Sequence, residues 1–225
     1  MSRAAYQVRP PITRTPLRSE VRRLLLGEIV RGDLAPSEGI NEAELSTRLG
    51  VSRTPLREAM LGLTQEGFLT ATPGRGFSVR ALRRSDAEEI YPILWTLEGA
   101  ALRASWPLPP SRLRQLDQAN RRLEAARADA SVALARDREW HALLLAGCPN
   151  RMLLSMIENL KDHAARYEEA FMRNSGQVIT SVTQHREIQA AIRRGDLERA
   201  LGLLEKNWRV SLDFLGPWLE ATTSP

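Results

Sequence analysis

The sequence predicts a mainly α protein: an N-terminal winged helix-turn-helix followed by an all-α helical bundle. Three observations predict it. Three helix-length segments, at about 16–32, 42–49 and 52–66, precede two short β-leaning runs at 68–71 and 77–80. From Ser85 onward every segment reads as helical. The charge is uneven as well. Residues 1–81 hold 12 arginines against 8 acids, whereas residues 82–225 hold 20 basic and 19 acidic side chains. A basic head on a near-neutral body is the electrostatic form of a polyanion binder.

The elements follow in order. Residues 1–15, with Arg3, Arg9, Arg14 and the pair Pro10-Pro11, read as a flexible basic arm. The head covers 16–81. Its first helix begins at Pro16, places Val21, Leu24, Leu25 and Ile29 at helical spacing, and ends near Gly32. Gly50 stops the second helix, and Ser52 is an N-cap for the third, whose apolar stripe is Leu56, Met60 and Leu63. Thr72-Pro73-Gly74-Arg75-Gly76 is the loop of a hairpin, the wing. Residues 82–85 are the predicted hinge, and 86–225 the helical body. Ser85-Asp86-Ala87-Glu88 reads as a capping box opening the first body helix. Further helices are predicted at about 111–128, 131–146, 150–173, 177–194 and 197–220. Asp129 or Ser131, Asn150 and Asp196 are candidate caps.

Composition excludes several classes. The chain is 43% hydrophobic and 26% charged, enough to bury a core. No stretch free of Asp, Glu, Lys and Arg exceeds 12 residues, short of the ~20 that a membrane helix needs. The N-terminus has no apolar run of signal-peptide type, so a cytoplasmic protein without membrane contact is expected. The single Cys148 excludes an internal disulfide and a cysteine-rich zinc finger, and suits a reducing compartment.

The third helix carries the first functional signal. Arg53 stands in its first turn, where the helix dipole disfavours a cation by about 0.3–1 kcal/mol. A sequence selected for stability alone would place an acid there. Arg53 and Arg57 are i,i+4 neighbours on one flank, and Ser52 and Thr54 add hydroxyls and amides suited to phosphate oxygens. In a helix-turn-helix the start of the second helix of the motif enters the major groove, where arginine bonds guanine bidentately. Gly74 and Arg75 at the wing tip are further DNA-contact candidates. The alternatives are a solvated face with Arg57 paired to neighbouring acids, and a Gly74 that serves only the turn.

Residues 17–81 resemble the DNA-binding domain of the GntR family of bacterial transcription regulators. The resemblance is carried by Gly32-Asp33-Leu34-Ala35-Pro36, Asn41-Glu42-Ala43-Glu44-Leu45-Ser46, the run Leu49–Met60 and Leu63-Thr64-Gln65-Glu66-Gly67-Phe68-Leu69. It implies DNA contacts from Ser52, Arg53, Arg57 and Gly74. Some members place an arginine before the glutamate of the second helix; here Ala43 stands there.

The body carries a second signal. Leu134, Asp137, His141, Leu144, Leu145 and Cys148 share one helical stripe, so Asp137 and His141 point inward one turn apart. Val182, His185, Ile188 and Ile192 form another, and Leu197, Ala200, Leu201, Leu204, Asn207 and Ser211 a third. A buried carboxylate must be paired. Either Asp137, His141 and His185 hold a divalent metal, or they form an Asp–His hydrogen bond with no metal. His163 reads as a helix-face residue.

Residues 86–215 resemble the all-helical effector domain of the FadR-type branch of the GntR family, the FCD domain. Asp137-Arg138-Glu139-Trp140-His141 is similar to its Asp-x-x-aromatic-His motif, and the stretch from His185 to Asp196 to its third-ligand motif. The resemblance implies zinc- or nickel-type binding by Asp137, His141 and His185. Metal-binding members place a further His 22 positions later, where this chain has Asn207, a weak amide oxygen. Many members also carry an arginine where this chain has Leu94. Arg166, Trp95 and Trp140 are the candidate effector contacts.

The expected function is a sequence-specific regulator of transcription, of repressor type. It would bind a double-stranded operator as a homodimer and respond to a small-molecule, organic-acid effector in the body. The alternatives are a metal-dependent, hydrolase-like enzyme built on Asp137, His141 and His185, and a ligand-independent DNA-binding protein.

Overall fold

A computed structural model describes residues 17–34, 36 and 39–223; the proposed basic arm lies outside the described residues. The chain divides into two compact units, a head made mainly of residues up to Arg80 and a body made mainly of residues from Ala81 on.

In the head, α1 (Leu17–Arg31), α2 (Glu42–Leu49) and α3 (Arg53–Gln65) precede β1 (Leu69–Thr72) and β2 (Gly76–Val79). Val21, Leu25, Leu26 and Ile29 of α1 are buried, whereas Leu24 is 40% exposed: Leu26 takes the core place expected of Leu24. The side chain of Asn41 accepts from the amides of Ala43 and Glu44 and starts α2. Gly50 ends it in the left-handed conformation, φ +64°, which a residue with a Cβ adopts only with strain. Arg48 ties α2 to α1 through both oxygens of Glu28, at 2.9 and 2.7 Å. Leu56, Met60 and Leu63 of α3 are wholly buried.

The two strands pair antiparallel, Leu69 opposite Val79 and Thr72 opposite Gly76; β1 lies one residue later and β2 one residue earlier than the apolar runs predict. The segment before α2 joins them: Pro36 bridges Val79, Gly39 bridges Ser78, and the amide of Ile40 donates to the carbonyl of Phe77 at 2.7 Å. Pairing by single residues leaves no periodic pattern, so the sequence reading did not include it.

The body consists of α4 (Arg84–Ala104), α5 (Pro110–Ala125), α6 (Ala130–Leu145), α7 (Arg151–Met172), α8 (Ser175–Arg193) and α9 (Leu197–Thr223). Tyr91, Leu94, Leu102, Leu116, Trp140 and Leu144 are wholly buried at its centre. The expected capping box at Ser85 is not formed. Arg83 is the N-cap, Ser85 lies inside α4, and Glu88 is drawn to Arg84 at 2.7 Å instead of back to the helix start. Asp129 rather than Ser131 caps α6, accepting from the amide of Val132, and Ser131 donates to Glu169. Because Asp129 needs extended backbone for this role, α5 ends earlier than predicted. Asn174 caps α8, which therefore begins two residues before the expected start.

Candidate DNA interface and buried polar site

The turn Gly50-Val51-Ser52 sets the start of α3. Ser46 donates to the carbonyl of Val51, and the amide of Val51 donates back to the carbonyl of Ser46, which fixes the turn. Ser52 is the N-cap of α3, yet its side chain makes no capping bond, so the positive end of the helix is not neutralised by this protein's own oxygen. Ser52, Arg53 and Thr54 are exposed. The Arg57 side chain is 63% exposed; its Nη1 lies 3.6 Å from Glu42, too far for a tight pair, and its guanidinium stands 5.9 Å from the centre of the Phe77 ring. A hollow of about 390 Å³ separates α3 from the wing, with Arg57 and Leu61 on one side and Thr72, Pro73 and Gly74 on the other. Gly74 has φ +75° and nothing within 4 Å of where a Cβ would stand, so the turn itself requires glycine while the tip stays open. Arg75 is exposed beside it.

In the body the inward stripes of α6 and α8 meet. Asp137, His141 and His185 are buried, and each offers a ligand atom within 4.8 Å of the others. His141 Nε2 is 3.7 Å from one Asp137 oxygen and His185 Nε2 is 3.6 Å from the other. The far side of each ring is held separately. His141 Nδ1 meets Glu98 Oε2 at 2.8 Å, and His185 Nδ1 meets Asn120 Oδ1 at 3.0 Å. Asn120 is oriented in turn by donating to the carbonyl of Val182 at 3.0 Å. A carboxylate and an amide oxygen only accept, so both Nδ1 atoms donate and both Nε2 atoms are turned toward Asp137. His185 Nε2 is buried with no hydrogen-bond partner. Burial, reinforced by His141, pushes the His185 pKa well down, so its ring is neutral. Trp140 stacks on it, centroids 3.6 Å apart and planes 1° from parallel.

Glu98 on α4 is the node behind this trio. It accepts from Trp208 Nε1 at 2.8 Å, and Lys161 Nζ lies 2.7 Å from its other oxygen, at an angle poor for a hydrogen bond. Burial alone would raise the Glu98 pKa; His141 and Lys161 outweigh it and hold the carboxyl far below the usual range. Asp137 moves the other way: burial raises it more than His141 and Lys161 lower it. A third acid, Glu168 on α7, accepts from the hydroxyls of Tyr91 and Ser211, and burial followed by the charge of Asp137 pushes it up to about 8.

The sign of that last shift makes a prediction. The unfolded chain releases this proton near pH 4.3, the folded chain near 8, so the folded state holds one proton more between the two. Stability therefore falls as pH rises through that window, by up to about 1.4 kcal/mol per pH unit from this group. Glu168→Gln is expected to flatten the slope, measured by urea unfolding at several pH values across the window. A slope equal to that of the wild type would refute it.

Of the other sequence-predicted residues, Asn207 is buried on α9 and donates to Gln184 Oε1 at 2.8 Å. Trp95 is half-buried beneath the Arg209 guanidinium, 4.5 Å away, and is not brought to the site. Arg166 is buried on α7, but the cations that line the cavity at the site are Arg138 and Lys161, together with Asp137, His141, Glu168 and Trp208. Leu94 is wholly buried in the core. Glu98, Asn120, Lys161, Glu168 and Trp208 had no functional role in the sequence reading.

A family model described as bacterial regulatory proteins, gntR family, matches residues 17–79, and the FCD domain matches residues 89–207. The HTH-type transcriptional regulator YdhC of Bacillus subtilis (strain 168) is 28% identical over 191 residues, 83% of this chain and 85% of its own. The HTH-type transcriptional repressor RspR of Escherichia coli (strain K12) is 28% identical over 192 residues, 83% and 84% of the two chains. The structure of E. coli McbR/YncC, 22% identical, matches over 94% of this chain and 100% of its own with a TM-score of 0.79, a likeness of fold. Among the described residues no helix is long and apolar enough to cross a membrane. The chain belongs to the GntR family of bacterial regulatory proteins and carries an FCD domain C-terminal to its winged helix-turn-helix.

Proposed function

We propose that this regulator represses transcription in the cytoplasm as a homodimer, releasing its operator when a small molecule binds the FCD domain. The observation that carries the DNA half is the uncapped start of α3, with Arg53, Thr54 and Arg57 exposed and only Glu42 near Arg57. Two heads related by a two-fold axis read two half-sites, with Arg53 and Arg57 to bases and Ser52, Thr54, Gly74 and Arg75 to phosphates or the minor groove. The repressor name of RspR supports the sign of regulation.

The body half rests on the convergence of His141 Nε2 and His185 Nε2 on Asp137. A buried, unpartnered histidine nitrogen, a neutral ring and an outer shell of Glu98 and Asn120 are what a divalent metal site needs, and the donor set suits zinc or nickel. Asp137, His141 and His185 would hold the ion, which would supply positive charge and open coordination positions to an effector oxygen. Membership of a regulator family favours this use of the three residues over the hydrolase that they would also suit. An effector acts by preferring one arrangement of the heads over the other.

The test is bound metal per chain, by elemental analysis of protein purified without chelators. About one equivalent is expected, lost in His185→Ala. Loading with Co(II) or Ni(II) is expected to quench tryptophan fluorescence through the Trp140–His185 stack. Asn207→His is expected to tighten the metal about tenfold by adding a donor. Wild-type protein free of metal after loading would leave the trio a hydrogen-bonded pocket.

A further inference from the structure

The outward face of α4 carries no charge along most of its length. Between Glu89 and Arg103 its exposed residues are Ile93, Thr96 and Ala100, and the one charged side chain in that span, Glu98, is buried. The uncharged stretch runs for about 20 Å along the helix axis. A helix side turned to water ordinarily carries charged and polar residues. Over a similar length α5 exposes Arg114, Gln115, Gln118, Arg121 and Arg122, and on α6 Arg136, Arg138 and Glu139 stay partly exposed among the alanines. Ile93 is 49% exposed, a large apolar side chain at the middle of the face.

We infer that this face is the dimer interface: two copies pack α4 against α4, antiparallel about a two-fold axis through Thr96, with Glu89 of each chain on Arg103 of the partner subunit. The inference rests on the homodimer proposed above and names the surface that forms it. Spacing supports it. Glu89, Ile93, Thr96, Ala100 and Arg103 recur at steps of four, three, four and three, the seam of one helix laid along another. Charge supports the antiparallel sense. A two-fold interface must complement itself, each residue meeting the one that meets it in return. Laid parallel, the seam would set Glu89 on Glu89 and Arg103 on Arg103. Laid antiparallel about Thr96, it sets acid on base at both ends and Ile93 beside Ala100, whose small side chain leaves room for it. Arg103 can take a second acid. Each Nη gives one N–H to Glu198, at 2.6 and 2.8 Å, and the other N–H groups remain. Glu89 has no ion pair of its own among the described residues. The neighbouring helix widens the apolar surface. Glu168 meets Tyr91 and Lys161 meets Glu98, so α7 runs antiparallel to α4 and brings Met156, 48% exposed, level with Arg103. An uncharged centre with charged ends is the make-up of a specific protein interface.

The experiment uses the full chain at low micromolar concentration. Light scattering is expected to give the wild type twice its chain mass of 25.2 kDa. A short bismaleimide is expected to link Thr96→Cys into covalent dimers and to leave Ala125→Cys, exposed on α5, unlinked; the native Cys148 is buried. Ile93→Asp is expected to weaken the dimer at least about 100-fold by burying an unpaired carboxylate. Glu89→Arg is expected to weaken it about tenfold, and Glu89→Arg with Arg103→Glu to recover most of that loss. Circular dichroism checks folding, since all these positions are exposed. A dimeric wild type in which Thr96→Cys links no better than Ala125→Cys overturns the inference and keeps the homodimer on another face. An Ile93→Asp variant as dimeric as the wild type does the same. A monomeric wild type overturns both the inference and the homodimer.

Discussion

Replacing Arg57 with Ala is expected to lower operator affinity by about 30-fold or more and to leave the fold intact. One bidentate arginine–guanine pair is worth about 1–3 kcal/mol of discrimination, and a dimer loses it in both half-sites. The side chain is 63% exposed and its one acidic neighbour is 3.6 Å away, so its removal takes little from the stability of the head. The measurement is fluorescence anisotropy against a duplex selected from random sequence by the wild-type protein, with circular dichroism as the control for folding. Arg53→Ala is expected to weaken binding by a similar factor, and Arg75→Ala chiefly to reduce the dependence of affinity on salt. Unchanged affinity in Arg57→Ala would remove α3 as the recognition helix.

The second large effect is expected in the body. Glu98→Leu strips the counter-charge from Lys161 and the acceptor from both Trp208 Nε1 and His141 Nδ1, all buried. Breaking a buried pair from one side costs about 3–5 kcal/mol, because the remaining charge has neither water nor partner. For a body of this size that is a fall in Tm of roughly 10–20 °C, or failure to accumulate as soluble protein. The double variant Glu98→Leu with Lys161→Met removes both charges and is expected to recover a large part of the loss, since a buried ion pair is often matched by apolar residues of similar volume. A double variant no more stable than Glu98→Leu would show that the hydrogen bonds to Trp208 and His141, not the ion pair, dominate. Either variant is also expected to bind metal more weakly, because His141 loses the acceptor that fixes its ring.

The sequence is informative where an ionisable residue interrupts a regular stripe. Asp137 and His141 stand among Leu134, Leu144 and Leu145 on α6, and His185 among Val182, Ile188 and Ile192 on α8, so each is inward-facing by spacing alone. The supporting residues leave no such trace. Residues 164–172 of α7 are all buried, so no single face of that stretch stands out and Glu168 reads as one acid of a pair. Lys161 sits in Asn159-Leu160-Lys161-Asp162, a pattern shared with solvated helix faces, and only the packing of α4 against α7 sets it beside Glu98. Asn120 is one polar residue in a helix rich in arginine. The capping box at Ser85 fails for a related reason: local chemistry at Arg84 competes for the glutamate that the motif needs, and sequence spacing carries no record of the competitor.

Every helix of the body sends a side chain to the buried site: Glu98 from α4, Asn120 from α5, Asp137 and His141 from α6, Lys161 and Glu168 from α7, His185 from α8, and Trp208 and Ser211 from α9. The cavity at this site, lined by Asp137, His141, Lys161, Glu168 and Trp208 among others, is only about 10 Å³, the room of one water molecule. This has a kinetic consequence. A ligand cannot enter a bundle closed to that degree by diffusion alone; it waits for the helices to part, on the microsecond-to-millisecond scale of such motions. Association is then gated by the protein rather than by encounter, with rate constants at or below the lower end of the usual range, about 10⁵ M⁻¹ s⁻¹. Departure is slowed by the same gate. On the proposed function, the time for which an operator stays vacant after the ligand pool falls would therefore be set by the breathing of the bundle, and substitutions that loosen α7 against its neighbours would shorten that delay even where equilibrium affinity is kept.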